Sequence, residues 1–177
     1  MGYQVTFPHE MEVARQGMAA GKGDDRTGQA TEIIKGGYGV FNVSPLTANL
    51  KGETPKIVMA GGVGAGQFIG VARDSVHQFT LDVLVPQGTL ETTDMGDYLV
   101  GSAVTYRREG YIWVAVNQAI DPTKPVHLIT VGAERGKFRA DATGFTTVDL
   151  STNAKWVGIS TNLKYAQLYL IGNTQPM

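Results

Sequence analysis

The chain has no cysteine, which removes disulfides and thiolate-held metals from its chemistry. It also means that the fold does not depend on an oxidising compartment. Charge is scarce and balanced: 18% of residues are charged, 15 basic against 16 acidic, for a net of −1. Globular domains carry about 25% charged residues, and nucleic-acid binders show a basic excess or stripe. Here the largest basic cluster is Arg107-Arg108, followed at once by Glu109, so no nucleic-acid partner is expected. No apolar run approaches the ~20 residues that span a bilayer. Met1 to Val13 has no basic segment leading into an apolar one, so neither a signal peptide nor a membrane partner is expected. Gly2 and Thr6 meet the N-myristoylation pattern as a chance match. The chain reads as soluble and made in the cytoplasm.

Glycine is abundant, 23 of 177 residues, nearly twice the usual ~7%. The length suits one domain that buries roughly 70% of its unfolded surface. A soluble β protein with so little charge is expected to have part of its surface covered in use, because sparsely charged edges otherwise self-associate.

Residues 1–36 read as an extended arm. Pro8-His9-Glu10 could open a single helical turn with Met11, Ala14 and Arg15. Gly17, Gly21, Gly23 and Gly28 are expected to break any regular element, and Asp24-Asp25-Arg26 to keep the segment in water. Yet Tyr3, Val5, Phe7, Met11, Val13, Met18, Ile33 and Ile34 are too apolar for a purely solvated tail. The arm is therefore expected to order against a partner.

From residue 37 to 177 the signals are those of short strands. Gly39–Val43, Ile57–Ala60, Phe68–Ala72, Phe79–Val85, Val126–Val131, Gly136–Ala140, Thr146–Val148, Ala154–Ile159 and Tyr165–Ile171 each carry β-formers between turn residues. Gly70 suggests a bulge or a close backbone approach. Val104–Tyr106 and Tyr111–Val116 read as a hairpin turning through Arg107-Arg108-Glu109-Gly110. The second arm of that hairpin is apolar on both faces, Tyr111 and Trp113 on one, Ile112, Val114 and Val116 on the other, so both faces should be covered. No helix longer than two turns and no internal repeat is evident. The expected fold is all-β, a barrel or jelly-roll-like sandwich of short antiparallel strands behind an extended N-terminal arm.

None of the candidate chemistries assembles. Gly61–Gly66 lacks the Lys-Ser/Thr that completes a phosphate loop, and a strand follows it instead of the helix whose N-terminus would hold a pyrophosphate. His9, His77 and His127 stand at no ligand spacing. Ser75 near Asp74 and His77 lacks the geometry of a triad. Asp24-Asp25 and the series Glu91, Asp94, Asp97 suit neither a glycosidase pair nor a calcium loop. Trp113, Trp156 and the tyrosines could line a sugar-binding face, although aromatics in β proteins more often serve a core or an interface. No catalytic residue, cofactor or metal is expected.

The order of the signals carries further. Ala14-Arg-Gln-Gly-Met18 precedes the polar glycine-rich stretch; Thr31-Glu-Ile-Ile34 leads to Gly37-Tyr-Gly-Val40. Then come Phe68-Ile-Gly-Val-Ala72, Gly96-Asp-Tyr-Leu-Val100, Gly110-Tyr-Ile-Trp-Val114, Pro125-Val-His-Leu128, Gly136-Lys-Phe138 and the closing Ala166-Gln-Leu-Tyr-Leu170. This ordered set, over about residues 12–171, resembles the structural cement or head-decoration proteins of tailed bacteriophages. The polar segments 21–30 and 48–56 depart in length from that pattern, which bears on the path of the arm. The resemblance implies a β-barrel or jelly-roll-like protein without catalysis, on the outer surface of the virion. There it would sit as a homodimer or homotrimer, tying capsomers of the major capsid protein together. With the arm reading, it points to Tyr3, Phe7, Met11, Met18, Ile33, Ile34, Tyr111 and Trp113 as contact residues toward the capsid or a sister subunit. A carbohydrate-binding or host-attachment module of a phage particle is the alternative.

Overall fold

The computed structural model describes residues 17–43, 54–74, 97–161 and 164–172, and every helix or strand among them is a strand. In chain order these are β1 (Ala19–Ala30), β2 (Ile34–Lys35), β3 (Gly39–Val43), β4 (Lys56–Met59), β5 (Ala65–Ala72) and β6 (Asp97–Tyr98). They continue with β7 (Ala103–Ala115), β8 (His127–Ile129), β9 (Phe138–Arg139), β10 (Thr147–Asp149), β11 (Ala154–Trp156) and β12 (Tyr165–Ile171). The expected Phe79–Val85 strand lies outside the described residues.

Strands β1, β4, β3, β5 and β7 pair in that order, and β7 pairs back onto β1, which closes a barrel. The β1–β4 contact is parallel and the other four are antiparallel. Beyond the barrel, β7 also carries β12, which carries β11. A small sheet, β10-β8-β9, lies apart from this one, and β2 pairs with β6.

Alternation along the barrel strands sorts their apolar residues into two cores. Ala30, Val40, Ile57, Met59, Ala72, Val104 and Tyr106, one or two from each of the five strands, fill the barrel together with Ile34, Tyr38 and Tyr98. Burial raises the pKa of both the Tyr98 and the Tyr106 phenol. Phe41, Val58 and Val71 point the opposite way. They meet Ile112, Val114, Leu128, Phe138, Leu150, Trp156, Leu168 and Leu170 in an outer layer between the barrel wall and the second sheet. Trp156 settles there with its indole N–H donating to the Pro125 carbonyl at 3.0 Å, the partner a buried indole needs.

Strand β7 belongs to both cores, and it does so through a bulge. The expected hairpin at Arg107–Gly110 is replaced by one continuous strand of 13 residues. Against β1 the register runs Asp24 to Glu109 and then Asp25 to Arg107, so that Arg108 is the extra residue. An added residue exchanges the two faces of a strand. Val104 and Tyr106 therefore face the barrel interior, Ile112 and Val114 face the outer layer, and Ala115 returns to the barrel cluster. The four polar and glycine residues that look like a turn in sequence are instead the point where the strand changes sides. The opposite edge of β7 changes partner at the same place, from β5 at Tyr106 and Arg107 to β12 from Glu109 onward.

Arg107 holds this point. Its guanidinium is buried and forms a two-pronged pair with Asp25, Nε to Oδ1 at 2.8 Å and Nη2 to Oδ2 at 3.1 Å. Its Nη1 donates to the carbonyls of Tyr111 at 2.9 Å and Gly21 at 3.2 Å. Arg73, just past β5, donates to Asp25 Oδ2 at 2.8 Å. Room for the guanidinium comes from glycine: a Cβ on Gly23 would run into the Glu109 carbonyl and the Arg107 guanidinium. Across the sheet, Gly70 has φ +154° and passes so close to the Arg107 carbonyl that a side chain there would collide with it. The close approach expected at Gly70 is thus a feature of the fold.

The glycine-rich stretch 19–30 is likewise a strand, where irregular chain was expected. Gly21 and Lys22 are taken up by a second register shift, between Ala20 and Gly23. Asp24 pairs with Arg26 in the exposed part of the strand, but Asp25 turns to Arg107. The glycines here admit a bulge and a neighbouring side chain without ending the element.

Burial pushes the Asp25 carboxyl upward, but the hydrogen bond from Arg107 and the charges of Arg73 and Arg107 outweigh it and hold the pKa below the ordinary value. Replacing Asp25 by Ala would leave the buried Arg107 cation without its carboxylate, at a cost of about 3 kcal/mol. Arg107→Met is expected to cost less, because Asp25 keeps Arg73 and some water. Urea unfolding of both variants measures the order. A carboxylate with a lowered folded pKa contributes stability in full above its unfolded pKa of about 3.9 and loses it as pH falls through the folded value. Unfolding free energy should accordingly drop below about pH 4, and part of that drop should vanish in Asp25→Asn; an unchanged acid limb would refute the assignment.

Candidate functional site

Two surfaces stand out among the described residues, both made of side chains that the two cores leave over. The first follows from the bulge. Past Arg108 the barrel-facing side of β7 carries Glu109, Tyr111 and Trp113, and β12 answers with Ile171, Tyr169 and Gln167 in register. Tyr111 stacks on Tyr169 with ring centroids 4.8 Å apart and a tilt of 49°. Lys155 of β11 lies beside Tyr169. On the other edge of β7, Trp113 donates its N–H to the Met18 carbonyl at 2.9 Å and accepts from the Gly17 N–H at 2.7 Å. Tyr111 is 42% exposed, and Trp113 and Tyr169 are half-buried. The even-numbered residues of β12, Ala166, Leu168 and Leu170, point the other way into the outer core.

The second surface is one end of the barrel. Ile34 pairs with Tyr98, which places Ile33 opposite Leu99. The turn Leu99–Ser102 is closed by the Ser102 N–H and hydroxyl, both on the Leu99 carbonyl at 3.0 and 2.6 Å. Ile33 is 44%, Leu99 51% and Val100 65% exposed. Next to them Glu32 accepts from the Met59 N–H at 2.8 Å and from Arg135 at 2.6 Å. This ion pair neutralises the local charge and ties the loop 131–137 to the barrel. Val63, next to Gly62 in the chain, and Val131, at the start of the loop 131–137, are also exposed.

Of the residues expected to make contacts, the structure brings Met18, Tyr111 and Trp113 together on the first surface and places Ile33 on the second. Ile34 is 0% exposed and belongs to the barrel core. The alternation across Ile33-Ile34 divides the pair between surface and interior, so Ile34 serves this chain's own packing. Tyr3, Phe7 and Met11 lie outside the described residues. Sequence reasoning missed Tyr169, Leu99 and Val100. The first shows only once the β7–β12 register is known, and the other two carry the weak signal of paired aliphatics beside a Gly-Ser turn.

The remaining polar clusters are accounted for as structure. Of the Gly61–Gly66 run, residues 61–64 form the turn from β4 into β5, with Gly61 and Gly64 at positive φ, and Ala65 and Gly66 already lie in β5. Asp121, Asp141 and Asp149 each accept the N–H two residues on, from Thr123, Thr143 and Ser151. For Asp121 and Asp141 this backbone hydrogen bond is the chief reason for a lowered pKa. For Asp149 the Ser151 hydroxyl leads and the backbone bond follows. These are side-chain turns. Arg139 is enclosed by Gln118, Asp141 and the Phe145 ring, whose centroid is 4.2 Å from the guanidinium carbon. His127 sits in register between Asp149 and Arg139. Among the described residues no group of three His, Cys, Asp or Glu side chains could hold a metal ion. His9, Ser75, His77, Glu91 and Asp94 lie outside them.

Comparison with solved structures finds the capsid of Myoviridae phage XM1, with a TM-score of 0.59 at 13% identity over 97% of this chain and 98% of that one. The N base of the head fibre gp8.5 of bacteriophage phi29 is a more distant match, with a TM-score of 0.39 at 10% identity over 83% of this chain and 92% of that one. No curated protein matches at a significant level. The family model described as structural cement protein (E217 gp24/Pam3 gp6) matches residues 3–171, and on that match, over nearly the whole length of this barrel protein, the chain belongs to the phage structural cement protein family.

Proposed function

We propose that this protein binds the outer surface of a phage capsid and stabilises it by bridging neighbouring capsomers, without catalysis, as a homodimer or homotrimer. Family membership supports a structural role in a phage particle. The observation that carries the finer reading is the pair of exposed apolar surfaces on a closed barrel, the aliphatic end at Ile33, Leu99 and Val100 and the aromatic face at Tyr111, Trp113 and Tyr169. In this reading the major capsid protein covers the barrel end. The arm ahead of Gly17 orders on its partners and contributes Tyr3, Phe7 and Met11. Each apolar side chain fully covered contributes roughly 1.5–3 kcal/mol, and many copies on one shell multiply the effect through avidity.

Cosedimentation with purified capsids tests it. The parent chain should pellet with shells, and Leu99→Asp with Val100→Asp should weaken binding at least tenfold, the equivalent of about 1.4 kcal/mol. Both side chains stand in a solvent-facing turn, so the thermal midpoint of the isolated protein should hardly move. A parent chain that stays in the supernatant would sink the reading, and a double variant that pellets like the parent would remove the barrel end from it.

The half-exposed aromatics on β7 and β12 favour one second reading, a carbohydrate-binding or host-attachment module. On a glycan array that reading predicts a signal abolished by Trp113→Ala, whereas the cement reading predicts no signal from either protein.

A further inference from the structure

We infer that the aromatic face of Tyr111, Trp113 and Tyr169 is covered by the N-terminal segment of a second copy of this chain, with Tyr3, Val5 and Phe7 laid along it in extended form. The inference rests on the oligomeric cement reading and names the partner of one of its surfaces.

The place where residues 1–16 are attached is the first ground. Gly17 is fixed at the margin of the face, its N–H on the Trp113 carbonyl at 2.7 Å and its own carbonyl accepting from the Asp74 N–H at 2.9 Å. From there β1 runs antiparallel to β7, past Tyr111 toward Glu109. The segment is therefore anchored at the Ala115 end, beyond Trp113, and would have to reverse direction at Gly17 to lie on its own Tyr111–Tyr169 pair. Length is the second ground. Sixteen residues reach about 50 Å when extended, while the face along the seven residues of β12 measures about 23 Å. The reach suits a neighbour's face better than its own.

Pattern is the third ground. Tyr3, Val5 and Phe7 alternate with Gln4 and Thr6, so an extended segment presents three apolar side chains on one side at steps of about 6.8 Å. Tyr111 and Trp113 are spaced by the same two-residue step on β7, and Tyr169 stands across from Tyr111. Exchange of arms between copies would bury both sets and link the copies over the shell.

Because the natural chain has no cysteine, engineered pairs report the contact without background. Full-length Val5→Cys/Tyr111→Cys is oxidised mildly in solution, without capsids, and run on a non-reducing gel. Gln4→Cys/Tyr111→Cys is the off-face control, and Val5→Cys/Lys155→Cys is a second probe that spares the tyrosine stack. A disulfide-linked dimer formed several-fold more by both Val5 pairs than by the Gln4 pair is expected. A disulfide within one chain, equal yields from positions 4 and 5, or no cross-link from either Val5 pair would each overturn the inference. Shell binding of the parent chain is measured separately, so failure here leaves the cement reading standing.

Discussion

The pair between Asp25 and Arg107 is the constraint from which the rest of this structure follows. A 13-residue strand that stayed in phase would present one face to one core along its whole length. The extra residue at Arg108 breaks the phase, and a break in phase inside a barrel wall leaves backbone groups and a cation in need of partners. Arg107 answers both needs, with Asp25 on its charge and the Gly21 and Tyr111 carbonyls on its remaining donors. A buried arginine is tolerable only when it is paired and hydrogen-bonded in this way. Glycines at 23 and 70 supply the space, one beside the guanidinium and one against its own backbone carbonyl.

Two consequences meet at β7. Before the bulge it pairs with β1 and β5; after it, it still pairs with β1 and carries β12 and β11 as an extension of the same sheet. Because of the shift, the barrel side of β7 past the bulge falls to Tyr111 and Trp113, where no described strand closes over them. The aromatic face is thus a by-product of joining a closed barrel to an open sheet through one strand. An ion pair at the junction determines where the aromatic face appears.

Much of this was legible in the sequence, and the failures have physical causes. β3 and β12 were read with their full bounds, because alternating β-formers between turn residues leave few other options. Residues 111–116 read as apolar and covered on both faces; Ile112, Val114 and Val116 are buried, and Tyr111 is 42% exposed. The bulge ahead of them was missed, since a bulge and a turn draw on the same residues, charged pairs followed by glycine, and only the pairing of Asp25 distinguishes them. β1 was missed because its stability is not local: a Gly- and Asp-rich strand forms when β7 offers it a ladder and Arg107 offers Asp25 a partner. The contact residues divided in the same way. Ile33 and Ile34 cannot be told apart until a register assigns one to water and one to the core. Tyr169 becomes part of a site only by standing opposite Tyr111.

The edges of the sheet decide what kind of association this molecule permits. From Ala19 to Gly28, β1 pairs with β7 on one side and with no strand among the described residues on the other. That open edge carries Lys22, Asp24 and Arg26, and such charges oppose the addition of a further strand. The other outer strand, β11, is three residues long and centred on Lys155, too short and too charged to template another chain. Within the barrel, β3 lies between β4 and β5, and β5 meets β7 at Val71 and Ala72. The edges at β1 and β11 therefore disfavour strand addition, while the barrel end and the aromatic face leave apolar side chains exposed beside Glu32, Arg135, Glu109 and Lys155. The division matters for any association, because a face of defined shape can saturate where an open strand edge cannot.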